Sequence, residues 1–124
     1  MQFLSVDLDR GTEVLSILDK AGLKVDIALW VTTSEHEDWR LIISARTFEG
    51  LGMTDARRVI HRSLMASGLS IHKWPTMTSL PWQDRFIQGL RHRYANMKDV
   101  EGLRPGGQLI GDRLVLDGYV YRLS

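Results

Sequence analysis

Apolar and polar positions alternate most regularly between Val25 and Arg46, and that alternation organises the rest of the chain. Side chains of a strand point to opposite faces in turn. Val25, Ile27, Leu29 and Val31 therefore share one face, and Leu41, Ile43 and Ala45 repeat the period further on. Between them the polar run Ser34-Glu35-His36-Glu37-Asp38 suits a five-residue hairpin loop. Pairing Thr33 with Trp39 closes it and sets Val31 opposite Leu41, Leu29 opposite Ile43 and Ile27 opposite Ala45. On the reverse face Trp30 meets Ile42, and Asp26 meets Arg46 as an opposite-charge pair. A one-residue slip exchanges the faces of a strand, so this sorting predicts a defined register.

Elsewhere the period lengthens to that of a helix. Val14, Leu15, Leu18 and Ala21 mark one buried face of a helix from Leu8 to Ala21, with Asp7 or Asp9 as N-cap and Gly22 as its stop. Residues 2–6 read alternatively as a short strand. After the glycine-punctuated link Phe48–Met53, Thr54 caps a second helix that Gly68 terminates. It gathers Ala56, Val59, Ile60, Ser63 and Leu64 on one side and Arg57, Arg58, His61 and Arg62 on the other. Leu69–Trp74 reads as a short third strand ended by Pro75. A third helix is expected from near Pro81, with Ser79 as N-cap and Trp82 at its edge. It buries Phe86, Ile87, Leu90, Tyr94 and Met97 and presents Arg85, Gln88, Arg91, His92 and Asn96. A loop over Val100–Gln108 leads to RLVLDGYVYRLS, where Asp117-Gly118 predicts a type I′ turn. That turn would put Arg113 opposite Arg122, a like-charge pair calling for a carboxylate, such as Asp112, or an external anion between its members.

The order of elements implies an α+β fold: one domain over residues 1–124. An antiparallel sheet is built from two hairpins, about 25–46 and 113–123, and about three amphipathic helices pack on one face of it. At 124 residues and 14.2 kDa the chain is long enough for a core without staples. The absence of cysteine excludes disulfides, thiolate catalysis and Cys-based zinc sites. MQFLSVDLDR has no basic and apolar leader pattern, and no apolar run approaches a membrane span, so a cytoplasmic protein without membrane contact is expected.

A net charge of +1 conceals a segregation. Residues 1–38 carry eight acidic and three basic side chains, residues 39–98 three acidic and ten basic, and residues 99–124 four acidic and three basic. Such asymmetry points either to an anionic partner or to basic and acidic segments that face each other within the fold.

Few established chemistries fit. Gly50-Leu51-Gly52 precedes a helix, but Asp55 stands where a GxGxxG fingerprint needs its third glycine, so the run is read as a connection. His36 among Glu35, Glu37 and Asp38 crowds one loop tip without a second ligand cluster, so no metal site is assigned and no cofactor is expected. None of Lys20, Lys24, Lys73 and Lys98 has a carboxylate two positions before it, as one type of metal-dependent nuclease requires. Metal-free phosphodiester cleavage needs an acid, a base and a cation, and His61 and His92 beside arginines supply those residue types. Phosphate binding asks for less: Arg57, Arg58, Arg62, Lys73, Arg85 and Arg91 are the anion-binding residues the pattern singles out. Trp39 and Trp74 are the aromatics expected to be exposed, as anchors for a protein interface. The sequence thus favours a small non-enzymatic binding module for nucleic acid, or next for an acidic protein. A ribonuclease-like enzyme using His61 or His92, and a dimerisation module without a nucleic-acid role, are the alternatives.

Overall fold

The computed structural model describes residues 5–35 and 38–123. Helix α1 (Ser5–Lys20) is followed by strands β1 (Ile27–Thr33) and β2 (Arg40–Ser44), then by helix α2 (Met53–Ser67). Strand β3 (Met77–Ser79), helix α3 (Arg85–Arg93), and strands β4 (Gln108–Ile110) and β5 (Arg113–Leu123) complete the order. One five-stranded sheet runs β3-β2-β1-β5-β4, antiparallel except where β3 lies parallel to β2. The fold is α+β, with three helices and two hairpins, and the short strand β3 added at one edge.

The helices cover both faces of the sheet, not the single face expected. Ala28 and Trp30 of β1 pack with Leu41 and Ile43 against Val14, Leu15 and Leu18 of α1 and Ala56, Ile60 and Leu64 of α2. Ile27, Leu29 and Val31 point the other way, with Ile42, Val115 and Val120, onto Phe86, Ile87 and Leu90 of α3. Every residue of β1 is buried. This burial explains why the observed register differs by one residue from the expected one: Leu29 lies opposite Ile42, Trp30 opposite Leu41 and Val31 opposite Arg40. Alternation fixes register only where one face is wet. Here both faces are apolar, and a slip exchanges one core for another.

The second hairpin begins earlier than the sequence suggested. Ile110 pairs with Arg113, so the two-residue turn is Gly111-Asp112, with Gly111 at φ +59°. β5 runs straight through Asp117-Gly118 and pairs along its length with β1. Gly118 is required there by close approach: a Cβ would stand 2.9 Å from the Trp30 carbonyl oxygen and 3.0 Å from the ring of Pro105. The segment before β4 lies along the flank of β5, where Gly102 N–H donates to Val120 O (2.8 Å) and Val120 N–H to Leu103 O (3.0 Å). β5 also carries two register shifts against β1, which leave Leu116 and Tyr121 as extra residues. Such bulges reset the alternation, and so Val115 and Val120, five apart in sequence, both face α3.

Other local expectations change for identifiable reasons. Of the short strand weighed for residues 2–6, residues 2–4 lie outside the described residues, and residues 5 and 6 belong to helix α1. Gly52, not Thr54, precedes the first turn of α2. Ile71–Lys73 forms a 3-10 turn where a third strand was expected, and the strand comes after Pro75. α3 starts at Arg85, where Asp84 caps it by accepting the Phe86 N–H at 2.9 Å; Ser79, six residues earlier, ends β3 and caps nothing among the described residues. Asp26 accepts the backbone N–H of Arg46 (2.7 Å), while the Arg46 guanidinium lies 5.3 Å from the centre of the Trp82 ring. Arg113 and Arg122 stand at opposite ends of one strand: Arg113 lies over Phe86, and Arg122 grips Asp19 with both guanidinium nitrogens (2.6 and 2.9 Å).

Candidate functional site

The sheet separates the two cationic helices. α2 packs on one face and α3 on the other, so Arg57, Arg58 and Arg62 share no surface with Arg85 and Arg91. His61 and His92 are divided in the same way, and a common acid–base site using both has no geometry here. Arg91 is also committed locally. Its guanidinium lies 4.5 Å from the centre of the Trp82 ring and donates to Gln88 Oε1 (3.1 Å), whose amide in turn donates to Trp82 O (2.6 Å). Arg85 is exposed at the start of α3.

On the α2 side the picture is different. Arg57 and Arg62 are exposed and have no hydrogen-bond or ion-pair partner among the described residues. Arg58 has only a loose contact with Asp55 (3.8 Å), both side chains largely in water. Exposed pairs of this kind contribute about 0–1 kcal/mol, so Arg58 is easily recruited elsewhere. The ring of His61 lies 5.3 Å from that of Trp74, inclined at 42°. This contact carries the cationic face of α2 onto the Lys73–Thr76 segment.

Trp74 and Trp39, the two tryptophans expected to be exposed, line one cavity together with Trp30. Trp39 is in fact buried and Trp74 half-buried. The cavity holds about 390 Å³ between the start of α1, the end of the β1–β2 loop and Lys73–Thr76. Asp7 and Arg10 reach it from α1, Asp38 from the loop, and Lys73 from beside Trp74. Its aromatic walls are held from behind. The Trp74 indole N–H donates to Leu69 O (3.1 Å), and that of Trp30 to the Tyr121 hydroxyl (2.9 Å), which donates onward to Leu8 O (2.7 Å). Burial is the main reason the Tyr121 phenol sits above the ordinary tyrosine range. Gly11, in the middle of α1, makes room for this arrangement: a Cβ there would overlap the Tyr121 hydroxyl and stand 2.9 Å from Trp30 Nε1.

Sequence reasoning named Lys73, Trp39 and Trp74 but missed Asp7, Arg10, Asp38 and Trp30 as their companions. Trp30 carried no signal beyond the apolar alternation, because its strand is buried throughout. The mid-helix glycine at position 11 was the available clue, since glycine weakens a helix interior by about 0.5–1 kcal/mol relative to alanine unless packing requires it. His36 and Glu37, half of the acidic loop considered for a metal, lie outside the described residues. Among the described residues no three His, Asp or Glu side chains gather as a metal site, and no helix is long and apolar enough to cross a membrane. No protein-family model, curated protein or solved structure matches this chain, and the charged α2 face with its adjoining tryptophan-lined cavity is the feature from which a function has to be argued.

Proposed function

We propose that the chain is a small binding module that holds nucleic acid on the outer face of α2. The supporting observation is the continuity from Arg57, Arg58 and Arg62, through the His61–Trp74 contact, to Lys73. Phosphate recognition needs guanidinium and ammonium donors left in water and uncommitted to carboxylates, and Arg57, Arg62 and Lys73 are of that kind. Arginine predominates, and its planar fork suits bidentate contact with phosphate oxygens. α3 contributes nothing to this surface, because it lies across the sheet.

Fluorescence anisotropy of labelled single- and double-stranded oligonucleotides across a salt series tests the proposal. The expected result is an affinity whose logarithm falls linearly with the logarithm of salt concentration, the slope counting the phosphates neutralised. Absence of binding at low salt would overturn it and leave an acidic protein as the partner to seek. Intact RNA after prolonged incubation with the protein distinguishes a binding module from a ribonuclease.

A further inference from the structure

The cavity beside α2 has a chemistry that electrostatic attachment alone does not use. Its volume, about 390 Å³, falls in the range of small-molecule pockets, roughly 300–1,000 Å³. Trp30 and Trp39 close the floor, at 3% and 8% exposure, while half-buried Trp74 offers part of its ring as a side wall. The hydrogen bonds from Trp30 to Tyr121 and from Trp74 to Leu69 set those walls before any ligand arrives, which lowers the ordering cost of binding. Two carboxylates and two cations surround the aromatics, so the pocket is neutral overall and is neither a plain anion site nor a plain cation site. Asp38 is exposed and has no hydrogen-bond or ion-pair partner among the described residues. A ligand matching this set has a flat π face, adjacent N–H donors for a carboxylate, and negative charge for Arg10 and Lys73.

We infer that the pocket receives one unpaired guanine nucleotide. The base lies against Trp74, its N1–H and N2–H donors meet Asp38, and its phosphate turns toward Lys73 and Arg10. An ionised carboxylate only accepts hydrogen bonds. Guanine presents two neighbouring donors on its Watson–Crick edge, whereas adenine places an acceptor at N1. Base pairing occupies that edge, so the site selects a single strand over a duplex. The inference rests on the proposal that nucleic acid lies along α2, with Lys73 shared between strand and pocket.

The test uses the full chain in two arms. Intrinsic tryptophan fluorescence is titrated with GMP and with AMP. Anisotropy then compares two labelled single strands that differ only in one central guanine or adenine, and the duplex of the first. The expected results are quenching by GMP well ahead of AMP and about tenfold tighter binding of the guanine strand, in line with one bidentate base contact. That preference disappears in Asp38→Ala: the two strands then bind equally, whatever general gain the lost negative charge gives to both. Equal affinity for both strands with no response to GMP overturns the pocket assignment, and salt-dependent binding of both strands in that case leaves the α2 proposal standing. A GMP response without any oligonucleotide binding supports the pocket and overturns the α2 proposal.

Discussion

The Trp30 indole and the Tyr121 hydroxyl, 91 residues apart in sequence, form a hydrogen bond of 2.9 Å that ties β1 to β5 and, through Leu8 O, to the first turns of α1. One hydroxyl thus satisfies a buried donor and a helix carbonyl together. Tyr121→Phe removes both the acceptor of the Trp30 N–H and the donor to Leu8 O, and a loss of about 1–3 kcal/mol is expected in urea unfolding. The same protein should show weaker GMP quenching, because the pocket floor is no longer pinned.

Gly11→Ala tests the same junction from the helix side. Propensity alone would make it stabilising by about 0.5–1 kcal/mol. The close approach of Tyr121 and Trp30 reverses the sign, and net destabilisation is expected, of the order of the 1–3 kcal/mol typical of overpacked cores. In the Tyr121→Phe background the penalty should shrink. Equal penalties in the two backgrounds would show that the hydroxyl is not what fills the space.

At Gly118 the strand and turn readings give opposite results. Were Asp117-Gly118 a hairpin turn, position 118 would face water and need only a positive φ. In the extended β5 it is buried under Pro105. Gly118→Ala should therefore cost about 1–3 kcal/mol by crowding Pro105 and the Trp30 carbonyl, measurable as a lower denaturation midpoint.

The fold class was legible in the sequence because it depends on period, and period survives any tertiary context. Register was not, because β1 is apolar at Ile27, Leu29 and Val31 and also at Ala28 and Trp30. Asp117-Gly118 misled for a related reason: glycine serves a tight turn and a close contact equally well, and the Trp30 carbonyl in β1, which decides between them, lies far back in the chain. In the candidate site, Lys73, Trp39 and Trp74 were visible as residue types. Their convergence with Asp7, Arg10 and Trp30 follows from the packing of α1 beside α2, which no local pattern encodes. The same packing places His61 near Trp74 and leaves His92 across the sheet.

Asp19 and Arg122 offer a pH-dependent test. The Arg122 hydrogen bond is the main influence holding the Asp19 carboxyl below its usual range, with part of the effect offset by burial. Because the folded-state value is depressed, the pair's stabilisation is complete above about pH 4 and is lost as pH falls through the folded value. Both side chains are about a third or more exposed, so the coupling in a double-mutant cycle with Asp19→Asn and Arg122→Gln should be no more than about 1 kcal/mol at pH 7. It should weaken as pH falls through the folded value, and a coupling that does not decline on acidification while the protein stays folded would contradict this account.

Charge reversal on the two helices should act unequally. Arg57→Glu and Arg62→Glu are expected to lower oligonucleotide affinity at low salt by about tenfold together, and each to reduce the salt slope by about one. Arg85→Glu, across the sheet, should change affinity by less than about twofold, apart from the general shift in net charge. Equal losses on both helices, measured by anisotropy, would argue for a strand that wraps the molecule.

The position of β1 also governs the order in which the protein can assemble. β1 and β2 pair through a short loop, but the other side of β1 is completed only by β5, with a sequence separation that makes closure slow relative to the hairpin. During synthesis the first hairpin emerges behind α1, which together with α2 covers only one of its apolar faces; the other face and the free edge of β1 wait tens of residues for α3 and β5. A ribosome-bound chain halted near residue 80 is therefore a sticky species, and a molecular chaperone should retain it until the closing strand is released.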